Sequence, residues 1–113
     1  MLLSTESLAG ALIVRVDATR IDAASAIQFK DAMREASSGP ETRILLDLSR
    51  VEFVDSSGLG AVVAAMKHLG PGRRLDLVAL QPNVDKVFRL TRMDTIFAIH
   101  ADIAAASIAH AGG

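Results

Sequence analysis

The residues with the most chemical potential stand together at Asp55-Ser56-Ser57-Gly58-Leu59-Gly60. An extended apolar run, Val51-Glu52-Phe53-Val54, delivers the chain to this triplet, and helical spacing begins at once. The first turn of a helix leaves backbone N–H groups without intrahelical partners, and the helix dipole adds partial positive charge there. An anion is therefore well placed at Ser56 or Ser57, including a phosphate attached covalently to the hydroxyl. Gly58 and Gly60 keep the turn free of bulk, so another protein could approach the backbone closely. The same residues also have a purely structural use. Asp and Ser are preferred helix N-caps, and two hydroxyls at a helix start commonly serve only to satisfy N–H groups. Residue types and spacing leave both readings open, and Asp55 can cap the helix and face a partner at once.

Other chemistries find little support. Ser56 lacks a Gly-x-Ser-x-Gly elbow, because Val54 and Gly58 flank it with a single glycine. A Gly-Lys-Ser/Thr run for a nucleoside triphosphate does not occur. His68, His100 and His110 stand apart without metal-ligand spacing, and the chain has no cysteine, which excludes disulfides and thiolate metal sites. Lys67, Arg73 and Arg74 around Gly70-Pro71-Gly72 read as a solvated turn. With no Trp or Tyr and a formal net charge of −1, nothing suggests nucleic acid or an anionic membrane as partner. The expectation is a protein that is not an enzyme and carries no cofactor or metal.

The elements that must position the triplet follow from periodicity. At 113 residues, half of them hydrophobic and 22% charged, the chain has the size and composition of one globular domain, 1–113. Its longest apolar run, Gly58 to Met66, is far short of the roughly 20 residues that cross a bilayer. The start, Met1-Leu2-Leu3-Ser4-Thr5-Glu6, lacks the basic flank of a signal peptide, so a cytoplasmic location is expected. Alternation at Leu12, Val14 and Val16 predicts a strand, with a weaker strand over Leu2 to Leu8 joined to it by a turn near Ala9-Gly10. Asp22 is expected to cap a helix reaching about Ser37, with Phe29, Ala32, Met33 and Ala36 on its inner stripe. Ser37-Ser38-Gly39-Pro40 stops it. The run Ile44 to Leu48 suits a strand covered on both faces.

A helix from Ser56 to Leu69, with Leu59, Val62, Val63 and Met66 inward, ends at Gly70-Pro71-Gly72. Leu75 to Leu80 reads as a strand and Gln81-Pro82-Asn83 as the entry to a helix holding Val84, Val87 and Phe88. Ile96 to Ile99 reads as a last strand. An alanine-rich helix capped by Asp102 closes the chain, with His110 near its negative end and Gly112 beyond it. Met33, Met66 and Met93 are core fillers. Strand and helix alternate, which implies an α/β domain with a four- to five-stranded mixed sheet and helices packed on it.

Asp55-Ser56-Ser57-Gly58-Leu59-Gly60, preceded by Leu46-Asp47-Leu48-Ser49 and Val51-Glu52-Phe53-Val54, resembles the phosphorylation-site signature of the STAS-domain anti-sigma factor antagonists. Arg20-Ile21-Asp22-Ala23-Ala24 is similar to that family's loop before its first helix, and Gln81-Pro82-Asn83-Val84 to the turn after its fourth strand. Asp85 to Leu90 and Met93-Asp94-Thr95-Ile96-Phe97 also fit, so the likeness spans nearly the whole chain. The resemblance implies a STAS-type fold with Ser56, the serine after the aspartate, as the phosphorylated residue. It implies a partner surface of Asp22, Asp55, Ser56, Ser57, Gly58 and Leu59. The partner would be an anti-sigma factor that is itself a serine kinase of the histidine-kinase-like ATPase fold, bound when Ser56 is unmodified and released on phosphorylation. A PP2C-type phosphatase would reverse the step. The alternatives are an unphosphorylated STAS subunit of a transporter or other complex, and a small-molecule or nucleotide sensor.

Overall fold

The computed structural model describes residues 2–112, with side chains described for residues 2–107. Strands β1 (Leu3–Leu8) and β2 (Ala11–Val16) form an antiparallel hairpin, closed at Ala9-Gly10 by two residues with φ of 53° and 83°. Two consecutive positive φ values give the turn a twist that matches the strands, and a glycine carries one of them without strain. The short β3 (Arg20–Ile21) leads through a turn to α1 (Ala26–Ala36); β4 (Arg43–Asp47), β5 (Phe53–Val54) and α2 (Ser56–Leu69) follow. Then come β6 (Arg74–Val78), α3 (Pro82–Leu90), a 3-10 turn at Met93–Thr95, β7 (Ile99–His100) and α4 (Ile103–Gly112).

Five strands make one mixed sheet in the order β1-β2-β4-β6-β7, with every pair after the hairpin parallel. β3 and β5 pair in parallel as a separate two-stranded sheet, Arg20 against Phe53 and Ile21 against Val54. One face of the large sheet carries Leu12, Val14, Ile44, Leu46, Leu75 and Leu77, packed with Phe29 and Met33 of α1, Val62 and Leu69 of α2, and Phe88 of α3. Phe88 and Phe97 meet edge to face with ring centres 6.3 Å apart. The other face carries Ala11, Ile13, Leu45 and Val78 under Ile103 and Ala106 of α4. β4 is buried along its whole length, as its near-continuous apolar run requires.

The expected elements are present, with four adjustments, the fourth being that α4 takes in Gly112, which was expected beyond its end. α1 starts at Ala26, not at Asp22, because residues 22–25 form a turn whose N–H of Ser25 bonds the carbonyl of Asp22 at 3.0 Å. The inward stripe of α2 runs through Gly58, Ala61, Val62, Ala65 and Leu69, while Leu59, Val63 and Met66 are half-buried at its margin. The last strand is only Ile99–His100, since Ile96 follows the 3-10 turn exposed and Phe97 turns into the core. Asp102 caps α4 as expected, accepting the N–H of Ala105 at 2.8 Å. That helix extends through Gly112, and the side chain of His110 lies outside the described residues.

His100 is not isolated. Its Nε2 lies 3.1 Å from the buried carboxylate of Asp76, which also pairs with Arg43 at 3.0 Å and Arg74 at 2.9 Å. Burial pushes the Asp76 carboxyl up, but hydrogen bonds from His100, Arg43 and Arg74, with the Arg74 charge, together hold it below its ordinary value.

Candidate functional site

β5 ends at Asp55, whose extended backbone (φ −99°, ψ −173°) leads directly into α2. One carboxylate oxygen accepts the N–H of Gly58 at 2.8 Å, and the other accepts the N–H of Ala23 at 3.1 Å. Asp55 is thus both the cap of α2 and a tie to the loop before α1. Ser56 becomes the first residue of the helix, so the capping role that the sequence allowed for the serines falls to Asp55. Ser56 and Ser57 are both exposed, and among the described residues neither hydroxyl has a hydrogen-bond partner.

The loop beside them is ordered by its own polar contacts. The register of β3 on β5 carries residues 22 and 23 alongside Asp55, where the Ala23 bond fixes them. Asp22 accepts from Arg20 Nε at 3.1 Å, from the N–H of Ala24 at 3.1 Å and from the Ser25 hydroxyl at 3.2 Å. The Arg20 hydrogen bond lowers its carboxyl below the ordinary value; desolvation opposes it, and Ser25 adds to the lowering. The Arg20 guanidinium also lies 4.2 Å from the centre of the exposed Phe53 ring, a cation–π contact. The start of α3 is tied in as well. The Asn83 side-chain amide donates to the carbonyl of Glu52, and that of Gln81 to the carbonyl of Ser49 at 2.9 Å.

Of the six expected partner residues, Asp22, Asp55, Ser56 and Ser57 share this surface region. Gly58 does not open the backbone to a partner. It is buried, and a Cβ built on it would lie 2.0 Å from the carbonyl oxygen of Ile21 and 3.0 Å from Val54 Cγ1. Its missing side chain lets α2 approach β3, whereas Gly60 has open space around it. Leu59 is half-buried against the core, and its N–H bonds the carbonyl of Asp55 at 2.9 Å. Nothing in residue type or spacing marks Arg20 and Phe53 as neighbours, because their meeting depends on the two-residue pairing of β3 with β5.

The STAS domain family model matches residues 3–106. This chain belongs to the STAS domain family. It is 29% identical over 100 residues, 88% of its length and 85% of the relative's, to BtrV of Bordetella bronchiseptica, whose name describes a candidate anti-sigma factor antagonist. The crystal structure of an anti-sigma factor antagonist from Mycobacterium paratuberculosis superposes with a TM-score of 0.84 at 27% identity, covering 96% of this chain and 92% of that one. The unphosphorylated antagonist SpoIIAA superposes with a TM-score of 0.75 at 24% identity, covering 99% and 98% of the two chains. Its phosphorylated form, from Bacillus, gives 0.66 at 22%, with 96% and 99% covered. The fold also occurs within the murine anion transporter Slc26a9, at a TM-score of 0.78 and 19% identity, covering 96% of this chain and 19% of the transporter.

Proposed function

We propose that this chain, acting as a single STAS domain, is an anti-sigma factor antagonist controlled by phosphorylation of Ser56. The observation that carries the reading is the free hydroxyl of Ser56, exposed beside a carboxylate that has already taken the capping role. Related proteins named as antagonists, one of them known in phosphorylated and unphosphorylated forms, support it. In this reading the unmodified surface of Asp22, Asp55, Ser56 and Ser57 binds an anti-sigma factor serine kinase of the histidine-kinase-like ATPase fold. The Ser56 oxygen attacks the γ-phosphorus of ATP, the hydroxyl proton passes to a base on the kinase, and ADP leaves. The chain contributes the nucleophile and the docking surface, and the kinase contributes the catalytic groups.

Phosphate adds about −1.5 to −2 charges at neutral pH. It sits at the positive start of α2, where the dipole offsets part of its charge, so the fold is kept. Asp55 and Asp22 stand beside it, and the combined negative charge and bulk oppose a closely fitted partner. Release follows from a blocked interface, and a PP2C-type phosphatase restores the binding form. Incubation with the kinase and ATP, followed by peptide mass spectrometry, should place a single phosphate on Ser56. Modification confined to Ser57, Ser4 or Ser107 would overturn the assignment.

A further inference from the structure

β1 forms one margin of the five-stranded sheet, and its outward hydrogen-bonding pattern can be read from the hairpin. The N–H of Asp17 bonds the carbonyl of Leu2 at 3.0 Å, and the pairing places Leu8 opposite Ala11. In an antiparallel ladder, hydrogen-bonded pairs recur at every second residue. Residues 2, 4, 6 and 8 therefore direct their backbone groups at β2, while Leu3, Thr5 and Ser7 direct theirs away from the sheet. Natural edges of this kind are usually blunted by lysine, proline, a bulge or a covering segment. Leu3–Leu8 contains neither lysine nor proline. Its one charged side chain, Glu6, is paired within the copy to Arg15 at 3.2 Å.

We infer that this edge is the interface of a two-fold homodimer, in which β1 of one copy pairs antiparallel with β1 of a second. The outward groups fix the register. Only an arrangement setting Thr5 opposite Thr5, with Leu3 opposite Ser7 on either side, engages all three outward residues of both strands, giving six backbone hydrogen bonds. That register also suits the side chains. Leu2, 74% exposed, falls opposite Leu8, 45% exposed, at both ends of the pairing, which covers two of the large apolar side chains left in water. Ser4 falls opposite Glu6, so the two carboxylates are not opposed, and like charges directly across a sheet destabilise it. The same patch serves both copies, as a closed two-fold assembly requires. The interface is one strand wide, smaller than the roughly 1,600 Å² of a standard stable complex, so the dimer is concentration-dependent.

Sedimentation velocity of the full chain from low micromolar to submillimolar concentration should show monomer converting to dimer. Thr5→Pro removes an outward N–H at the centre without touching the bonds to β2, and should give a folded monomer by circular dichroism. Thr5→Cys supplies the independent check, because the chain has no cysteine of its own. The two introduced thiols face each other across the axis within disulfide range, so oxidation should give a covalent dimer. Leu8→Cys should not, since its two copies lie about 20 Å apart in this register. A parent that stays monomeric throughout, a folded Thr5→Pro variant that still dimerises, or Thr5→Cys cross-linking no better than Leu8→Cys would each overturn the inference.

Discussion

Asp76 and Asp55 are both carboxylates with several donors around them, yet their surroundings do opposite things. Asp76 is buried and pairs with the buried Arg43, with His100 and with the largely exposed Arg74. Little polar capacity is left over there, apart from the Nε of Arg43, which is buried without a hydrogen-bond partner among the described residues. Asp55 sits at the surface and spends its two oxygens on backbone N–H groups of Gly58 and Ala23. Because it takes those groups, the neighbouring Ser56 and Ser57 hydroxyls stay uncommitted. The first cluster is gathered on a buried carboxylate; the second leaves two hydroxyls facing outward without partners among the described residues. A candidate site is marked here by the hydroxyl left free at its edge more than by the density of its hydrogen bonds.

The sharpest contrast between the two comes from removing each carboxylate. Asp76→Ala leaves the Arg43 guanidinium buried without its counter-charge and should cost about 3–5 kcal/mol, read by urea denaturation. The folded Asp76 carboxyl is held below its ordinary value, so its contribution is present above the unfolded carboxylate range near pH 4 and is lost as pH falls through the folded value. Stability of the parent should therefore fall more steeply below about pH 4 than that of the variant. An unchanged acid profile would mean that the cluster is not what holds this face together.

Next in size is the packing beneath the Ser56 site. Gly58→Ala drives a methyl group into the Ile21 carbonyl, a backbone atom that cannot move aside cheaply. A net loss of about 3 kcal/mol is expected, the upper part of the range for overpacking. Gly60→Ala, two residues on and with open space, should instead gain about 0.5–1 kcal/mol from helix propensity. Equal effects at the two glycines would contradict the docking of α2 on β3. Smallest of all is Ser56→Ala, which removes no hydrogen bond and should change stability by less than about 0.5 kcal/mol. A loss of about 1 kcal/mol or more would return the capping role to Ser56 and weaken the contrast with Asp76.

Most of the framework was legible in the residues, because β4 and the helices announce themselves by period and by flanking Gly and Pro. The bounds of α2, Ser56–Leu69, match the change of period. Elements set by tertiary contacts were less legible. Ile96 to Ile99 reads as a strand by composition, but the chain makes a 3-10 turn first and pairs with β6 only at Ile99–His100. Asp22 has the residue type of a cap, yet Arg20 and Ser25 draw its carboxylate into a turn that delays α1. At the site, Asp55 and Ser56 could be picked from their types and spacing, but both are cap-forming types, so the residue types did not say which of them caps. The tie from Asp55 to Ala23, 32 residues earlier in the chain, was not legible at all. Two partners of Asp76, Arg43 and His100, were illegible for a related reason, since they come from the neighbouring strands β4 and β7.

The central claim is that the free Ser56 hydroxyl is a switch at a binding surface. Its most direct test is a calorimetric titration of the anti-sigma factor kinase with the parent and with Ser56→Asp, both checked for folding by circular dichroism. Aspartate is acceptable at a helix start, so the fold should survive. The added charge should weaken binding at least tenfold, about 1.4 kcal/mol or more. A folded Ser56→Asp variant that binds as tightly as the parent would contradict it.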